Sequence, residues 1–406
     1  MSEQKAPARL IWALGATQII GYGTLYYSFS ILAPAIATDL VIPLDWLFGL
    51  LSVALLCGGL IAPKAGRWAD RFGAGRLMVP GSLAAGIALL AAAFAPKATI
   101  FAISLVAMEL ASAFVLYGTA FTAIVQIGGR SAHRSITHLT LIAGFASTLF
   151  WPLTATLHEH LSWRSIYMIF AALNILVCLP IHGWISLLPR TSDKSETDAA
   201  KPTPQASAPA SMPRNDLFLI MLAAFAVQGL VLSSILVHMV PMVTAMGLGT
   251  AGLMISMLFG PAQVASRLTN MLFGGRLSQS MLAVIAALLL PTGLVLLFAS
   301  SPWLPGVIVF ALLFGFGSGL SSIIGGTLPL ELFGRTGYGA RLGWVTAARQ
   351  FSSAFAPFAF AFSMERWGIN QSLVIAITVG CLSALLFGTI AFMQSRRGRV
   401  ATSMAA

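Results

Sequence analysis

Apolar residues run along the chain in twelve long blocks separated by short polar turns. A helix that crosses a bilayer needs about 20 apolar residues. The blocks predict helices over Ile11–Ala37, Trp46–Pro63, Leu77–Ala95, Ala98–Ile127, Ile136–Leu157, Arg164–Leu188, Leu217–Met246, Ala251–Phe273, Met281–Ser300, Trp303–Leu328, Leu342–Met364 and Ser372–Met393. Several exceed about 25 residues, a length that implies tilt or extension beyond the bilayer. Residues 190–216 break the pattern. They are rich in Pro, Ala, Ser, Lys and Asp and keep no apolar period, which predicts a disordered cytoplasmic linker. The expectation is an all-α polytopic membrane protein: a six-helix bundle over 1–189, the linker over 190–216, and a second six-helix bundle with a short tail over 217–406.

Composition strengthens this reading. The 406 residues are 58% hydrophobic and 9% charged, against about 25% charged in soluble domains. Of the 23 Lys and Arg residues, Lys97, Arg164 and Arg366 fall on one side of the predicted membrane. Arg267 and Arg349 fall inside helices, and the other eighteen (23 less 5) fall on the opposite side. Positive charge collects in the cytoplasm, so both termini are expected there, in a bacterial inner membrane. The same spread argues against nucleic acid as the partner of the +11 net charge. Cys57, Cys178 and Cys381 lie far apart in apolar runs and suit neither a disulfide framework nor a metal motif. Met1–Arg9 leads straight into an apolar helix with no small-residue cleavage site, so no cleavable leader is expected.

The two halves echo each other. Gly66-Arg67-Trp68-Ala69-Asp70-Arg71 follows helix 2, and Gly275-Arg276-Leu277-Ser278-Gln279-Ser280 follows helix 8. Helix 5 carries Ser147-Thr148-Leu149-Phe150-Trp151-Pro152 where helix 11 carries Ser352-Ser353-Ala354-Phe355-Ala356-Pro357. The run from Gly66 to Gly73 resembles the signature loop of the major facilitator superfamily, Gly-x-x-x-Asp-Arg/Lys-x-Gly followed by basic residues. Here Ala74 and Gly75 replace two basic positions and Arg76 keeps one. The resemblance implies that Gly66 permits a tight turn and that Asp70, Arg71 and Arg76 help hold a cytoplasmic gate. Glu331 and Arg335, before helix 11, are expected in the same gate. Solvated loops carrying positive-inside charge are the alternative. Within the superfamily, Gln263-Val264-Ala265-Ser266-Arg267 is similar to the helix-8 Asp-x-x-x-Arg pair of monocarboxylate porters. Arg267 matches and Gln263 replaces the acid. The Gly-Pro antiporter signature is absent from helix 5.

Charge inside a membrane is costly and therefore informative. Glu109 is the acid near mid-helix, and Arg267 and Arg349 are the embedded bases. The resemblance implies that helices 1, 2, 4, 5, 7, 8, 10 and 11 line the path; all three charges, with His138 and His238, lie on them. At 1.5 Å per residue, both arginines sit roughly 9–11 Å from the inner ends of their helices. Two guanidiniums at one depth suit a carboxylate; snorkelling to headgroups is the rival reading. Gln263, one turn before Arg267, is a further candidate contact, as are His238, Tyr26 and Tyr27. Glu109 is either the proton carrier or a structural partner for an arginine. Gly315, Gly317 and Gly319 read as close-packing positions.

The function expected is proton-coupled transport of a small organic anion, a monocarboxylate first, by alternating access and as a monomer. Efflux of a drug or small toxic solute is the runner-up, and a non-transporting sensor ranks below both. No enzyme motif, cofactor loop or metal set is present in the sequence.

Overall fold

A computed structural model of the chain describes residues 8–190, 215–248, 251–274 and 277–405. Most of the predicted linker lies outside them. The described residues form twelve long helical segments: α1 Ala8–Asp39, α2 Leu44–Phe72, α3 Ala74–Ala93, α4 Ala98–Ile127, α5 Ala132–His160 and α6 Trp163–Ser186, then α7 Asn215–Val243, α8 Ala251–Phe273, α9 Gln279–Ser300, α10 Leu304–Phe333, α11 Tyr338–Trp367 and α12 Ile369–Ala405. Among the described residues, ten helices are long and apolar enough to span a membrane. The remaining two, α8 and α11, carry Arg267 and Arg349. Helix is the form these runs take because hydrocarbon offers no water to their backbone groups.

Two compact units emerge. The first holds α1–α6 together with Leu332–Gly343; the second holds Leu219–Glu331, which spans most of α7 and α10 and all of α8 and α9, and the chain from Trp344. In the first, Phe29, Leu32 and Ile36 of α1 meet Leu89 of α3, Phe101 and Leu105 of α4 and Phe170 of α6. In the second, Ile235 of α7 joins Leu290 and Leu294 of α9, Phe310 and Phe314 of α10, and Leu373 of α12. Association inside a bilayer relies on close packing and interhelical hydrogen bonds. Such bonds recur: Asn174 Nδ2 donates to Thr24 Oγ1 at 2.9 Å, Ser82 Oγ lies 2.6 Å from His182 Nδ1, and Ser233 Oγ donates to Ser353 Oγ at 2.8 Å.

One charged clamp ties three helices of the first unit. Arg164, at the start of α6, pairs with Asp39 of α1 at 2.8 Å. Its Nη1 donates to the carbonyls of Ala93 and Ala95 at the end of α3, at 2.9 and 2.8 Å. Trp163 Nε1 also donates to Asp39, at 3.2 Å. A cation at a helix C-terminus satisfies free carbonyls and the dipole together. Solvent screens this half-exposed pair, so the whole clamp contributes about 1–2 kcal/mol. Arg164→Ala is expected to lower the melting temperature of the purified protein by a few degrees, with Arg164→Lys recovering only part of it. An unchanged transition would show that the clamp adds nothing to stability.

Candidate functional site

The loop motif acts through the backbone. α2 ends at Phe72, and Gly73 closes it with φ 99°, a conformation that favours glycine. Asp70, in the last turn, accepts from the amides of Gly339 and Ala340 at 2.9 and 2.8 Å. These amides open α11, where helix N–H groups have no intrahelical partner and the dipole favours an anion. One turn earlier, a Cβ on Gly66 would overlap the Gly339 carbonyl, so only glycine allows this approach. Gln126, at the end of α4, braces the same turn: it accepts from Ala74 N at 3.0 Å and donates to Ala69 O at 2.9 Å.

Arg71 is exposed, 5.2 Å over the Phe72 ring. Arg76 and Arg335 are exposed. Glu331 accepts from the amides of Gln279 and Ser280 at 2.6 and 3.1 Å, and so caps α9. The cation beside Asp70 is Arg341, whose Nη1 donates to Thr336 O at 2.6 Å.

In the second unit, α8 and α10 form a polar ladder. Gln263 Nε2 donates to Ser318 Oγ at 2.8 Å, and one turn on Arg267 Nε donates to Ser322 Oγ at 3.1 Å. Gly319 lies between the two serines, and a Cβ there would overlap Ser266 Oγ. Arg267 is 6% exposed, and its Nη1 is buried with no hydrogen-bond partner among the described residues. The Arg349 guanidinium packs on Gly325, where an added Cβ would lie 2.8 Å from Nη1. Both arginines therefore meet α10, at positions three residues apart and on one face. His238, on α7, has Nδ1 3.0 Å from Ser234 O and its ring 5.3 Å from that of Phe360 on α11. His138 is half-buried.

In the first unit, Glu109 of α4 is 4% exposed. It accepts from Ser112 Oγ at 3.2 Å and makes no ion pair among the described residues. Tyr26 is within its electrostatic reach. Just beyond, α4 breaks at Leu116, whose backbone is extended. Gln18 Nε2 takes the freed Val115 carbonyl at 2.7 Å, and Thr119 Oγ1 takes that of Ala113 at 2.9 Å.

Residues 15–357 match the family profile of the Major Facilitator Superfamily. The chain belongs to the major facilitator superfamily. No curated protein matches it by sequence. Solved structures of similar fold include the human organic anion transporter MFSD10, at TM-score 0.73 and 13% identity, covering 95% of this chain and 100% of that one. The proton:xylose symporter XylE bound to 6-bromo-6-deoxy-D-glucose aligns at 0.71 and 14% over 94% and 96%. The fucose:proton symporter FucP of E. coli aligns at 0.68 and 15% over 96% and 99%.

This member of the superfamily is thus a multi-pass membrane transporter. Its sequence exposed Asp70 and Gly66 but concealed their partners, Gly339 and Ala340, which contribute backbone only. Ser318 and Ser322 were also missed, although their four-residue spacing beside Gly315 and Gly319 marks one stripe of α10. Asp70→Asn removes the charge at the α11 N-terminus. Hydrogen exchange of the Gly339–Ala340 amides is expected to accelerate at least tenfold; unchanged exchange would remove Asp70 as the group that holds them.

Proposed function

We propose that this transporter carries a small organic anion, a monocarboxylate first, together with protons, by alternating access in a bacterial inner membrane. The observation that carries the reading is the Arg267 guanidinium: buried, fixed through Nε by Ser322, and left with an unpartnered Nη1. A buried cation with unmet donors is costly unless a partner arrives. A carboxylate is the planar acceptor that a guanidinium fork fits. Gln263, one turn away and oriented by Ser318, would supply a neutral contact, and Arg349 further positive potential. His238, Tyr26 and Tyr27 complete the proposed contacts.

Glu109 is the proposed proton carrier. It is buried and makes no ion pair among the described residues, so proton binding removes the cost of a buried charge. Gly66 and Asp70, held against Gly339 and Ala340, form the proposed cytoplasmic gate. Arg71, Arg76, Glu331 and Arg335 act around it as solvated or capping charges. Opening the gate breaks two charge-assisted hydrogen bonds, a cost that substrate and proton binding must offset.

Uptake of radiolabelled small carboxylates into proteoliposomes tests the reading. An inward proton gradient should stimulate uptake of at least one acid. Arg267→Ala should reduce its kcat/KM at least 100-fold, about 3 kcal/mol, and Arg267→Lys should restore only part. Glu109→Gln should leave residual uptake that no longer responds to the gradient. If no carboxylate moves in vesicles holding folded protein, the anion reading fails.

A further inference from the structure

An aromatic ridge crosses the middle of the first unit. Trp151 of α5 packs edge-on against Tyr27 at 5.8 Å, Tyr27 lies 6.3 Å from Tyr22, and Tyr22 lies 4.8 Å from Tyr117 of α4. Phe121 stacks under Tyr117 at 4.8 Å, and Tyr26 stands edge-on to Tyr27 at 5.3 Å. Chain geometry builds this surface. Residues Gly23–Tyr27 form a π-turn, with Ser28 N–H donating to Gly23 O. That i→i+5 closure carries Tyr27 round towards the face of Tyr22, where an α-helix would hold it away. A Cβ on Gly23 would overlap the Phe150 ring, so glycine lets α5 close on the turn and brings Trp151 beside Tyr27.

Three features separate the ridge from ordinary packing. Tyr26 and Trp151 are 47% and 49% exposed, whereas Phe121 is 3% exposed; the ridge is backed on one side and open on the other. It also lies near the middle of α1, α4 and α5, whereas membrane Tyr and Trp collect at the headgroup belts. Finally, α1 and α4 both depart from regular helix beside it, and broken helices at membrane depth belong where they line a cavity. Gln18, one turn before Tyr22 and fully buried, leaves Oε1 without a partner.

We infer that this ridge is a ring-binding subsite, so that the transported solute carries a flat unsaturated ring. The inference rests on the transport reading above and narrows its substrate class to ring-bearing acids. Edge-on and offset contacts with Tyr27, Tyr26 and Trp151 recognise the ring through its quadrupole, independently of its charge. Aliphatic acids of equal charge lose these contacts.

Binding to the purified full-length protein, measured calorimetrically, tests this with three probes: benzoate, propionate and benzyl alcohol. Benzoate should bind about tenfold tighter than propionate. Trp151→Leu should remove most of that advantage, Trp151→Phe should keep it, and both should leave propionate unchanged, whereas Arg267→Gln should weaken both acids. Equal binding of the two acids, both sensitive to Arg267→Gln, would overturn the ring subsite while the anion reading stands. Benzyl alcohol binding that depends on Trp151, with neither acid bound, would support the subsite and remove the anion reading. No binding by any probe, or an equal loss of benzoate and propionate in Trp151→Leu, would overturn the subsite.

Discussion

A polar group held at membrane depth must find its partner inside the protein, and the architecture follows from how each one does so. Where α4 breaks, Gln18 and Thr119 take the freed carbonyls. Where helices end, Asp70, Gln126, Glu331 and Arg164 take the terminal amides and carbonyls. Against that background, the buried Nη1 of Arg267 has no partner among the described residues. The carboxyl of Glu109, in no ion pair among the described residues, is its acidic counterpart in the first unit.

The same device recurs in both units. Gln126 reaches back 52 residues to cap α3, and Glu331 reaches back 52 residues to cap α9. The two caps stand 205 residues apart, 331 minus 126, as do Pro152 and Pro357, 357 minus 152. One spacing thus relates a helix cap and a helix proline in each half, which fits an internal repeat. The copies differ in charge: a neutral amide serves α3 and a carboxylate serves α9. Asp70 adds an anion in the first unit, aimed at the start of α11.

Much of the site was legible because membrane burial is selective. Few charges lie within the apolar runs, so Glu109, Arg267 and Arg349 were conspicuous, and the ladder from Gln263 to Arg267 followed from helical spacing. Glu331 was expected in the gate opposite Asp70, and its carboxylate accepts from the amides that open α9. Sequence proximity to a gate does not distinguish a helix cap from a gate contact, since both need an acid near amides. The π-turn at Gly23–Tyr27 was also hidden. Gly21-Tyr22-Gly23 signals flexibility, but the turn forms because Phe150 packs into the space that Gly23 leaves.

By itself the sequence determined an all-α chain of long apolar helices and the membrane as solvent, because hydropathy and helix length are local properties summed along one chain. It also singled out Glu109, Arg267 and Arg349 as the ionisable residues inside apolar runs, since the cost of charge there is set by depth. Only the tertiary structure decided which donors remain unmet and which aromatic faces remain open. Those properties belong to pairs of residues far apart in sequence, Arg267 with Ser322, Gly66 with Gly339 and Gly23 with Phe150, and arise only when helices pack closely enough for one backbone to touch another.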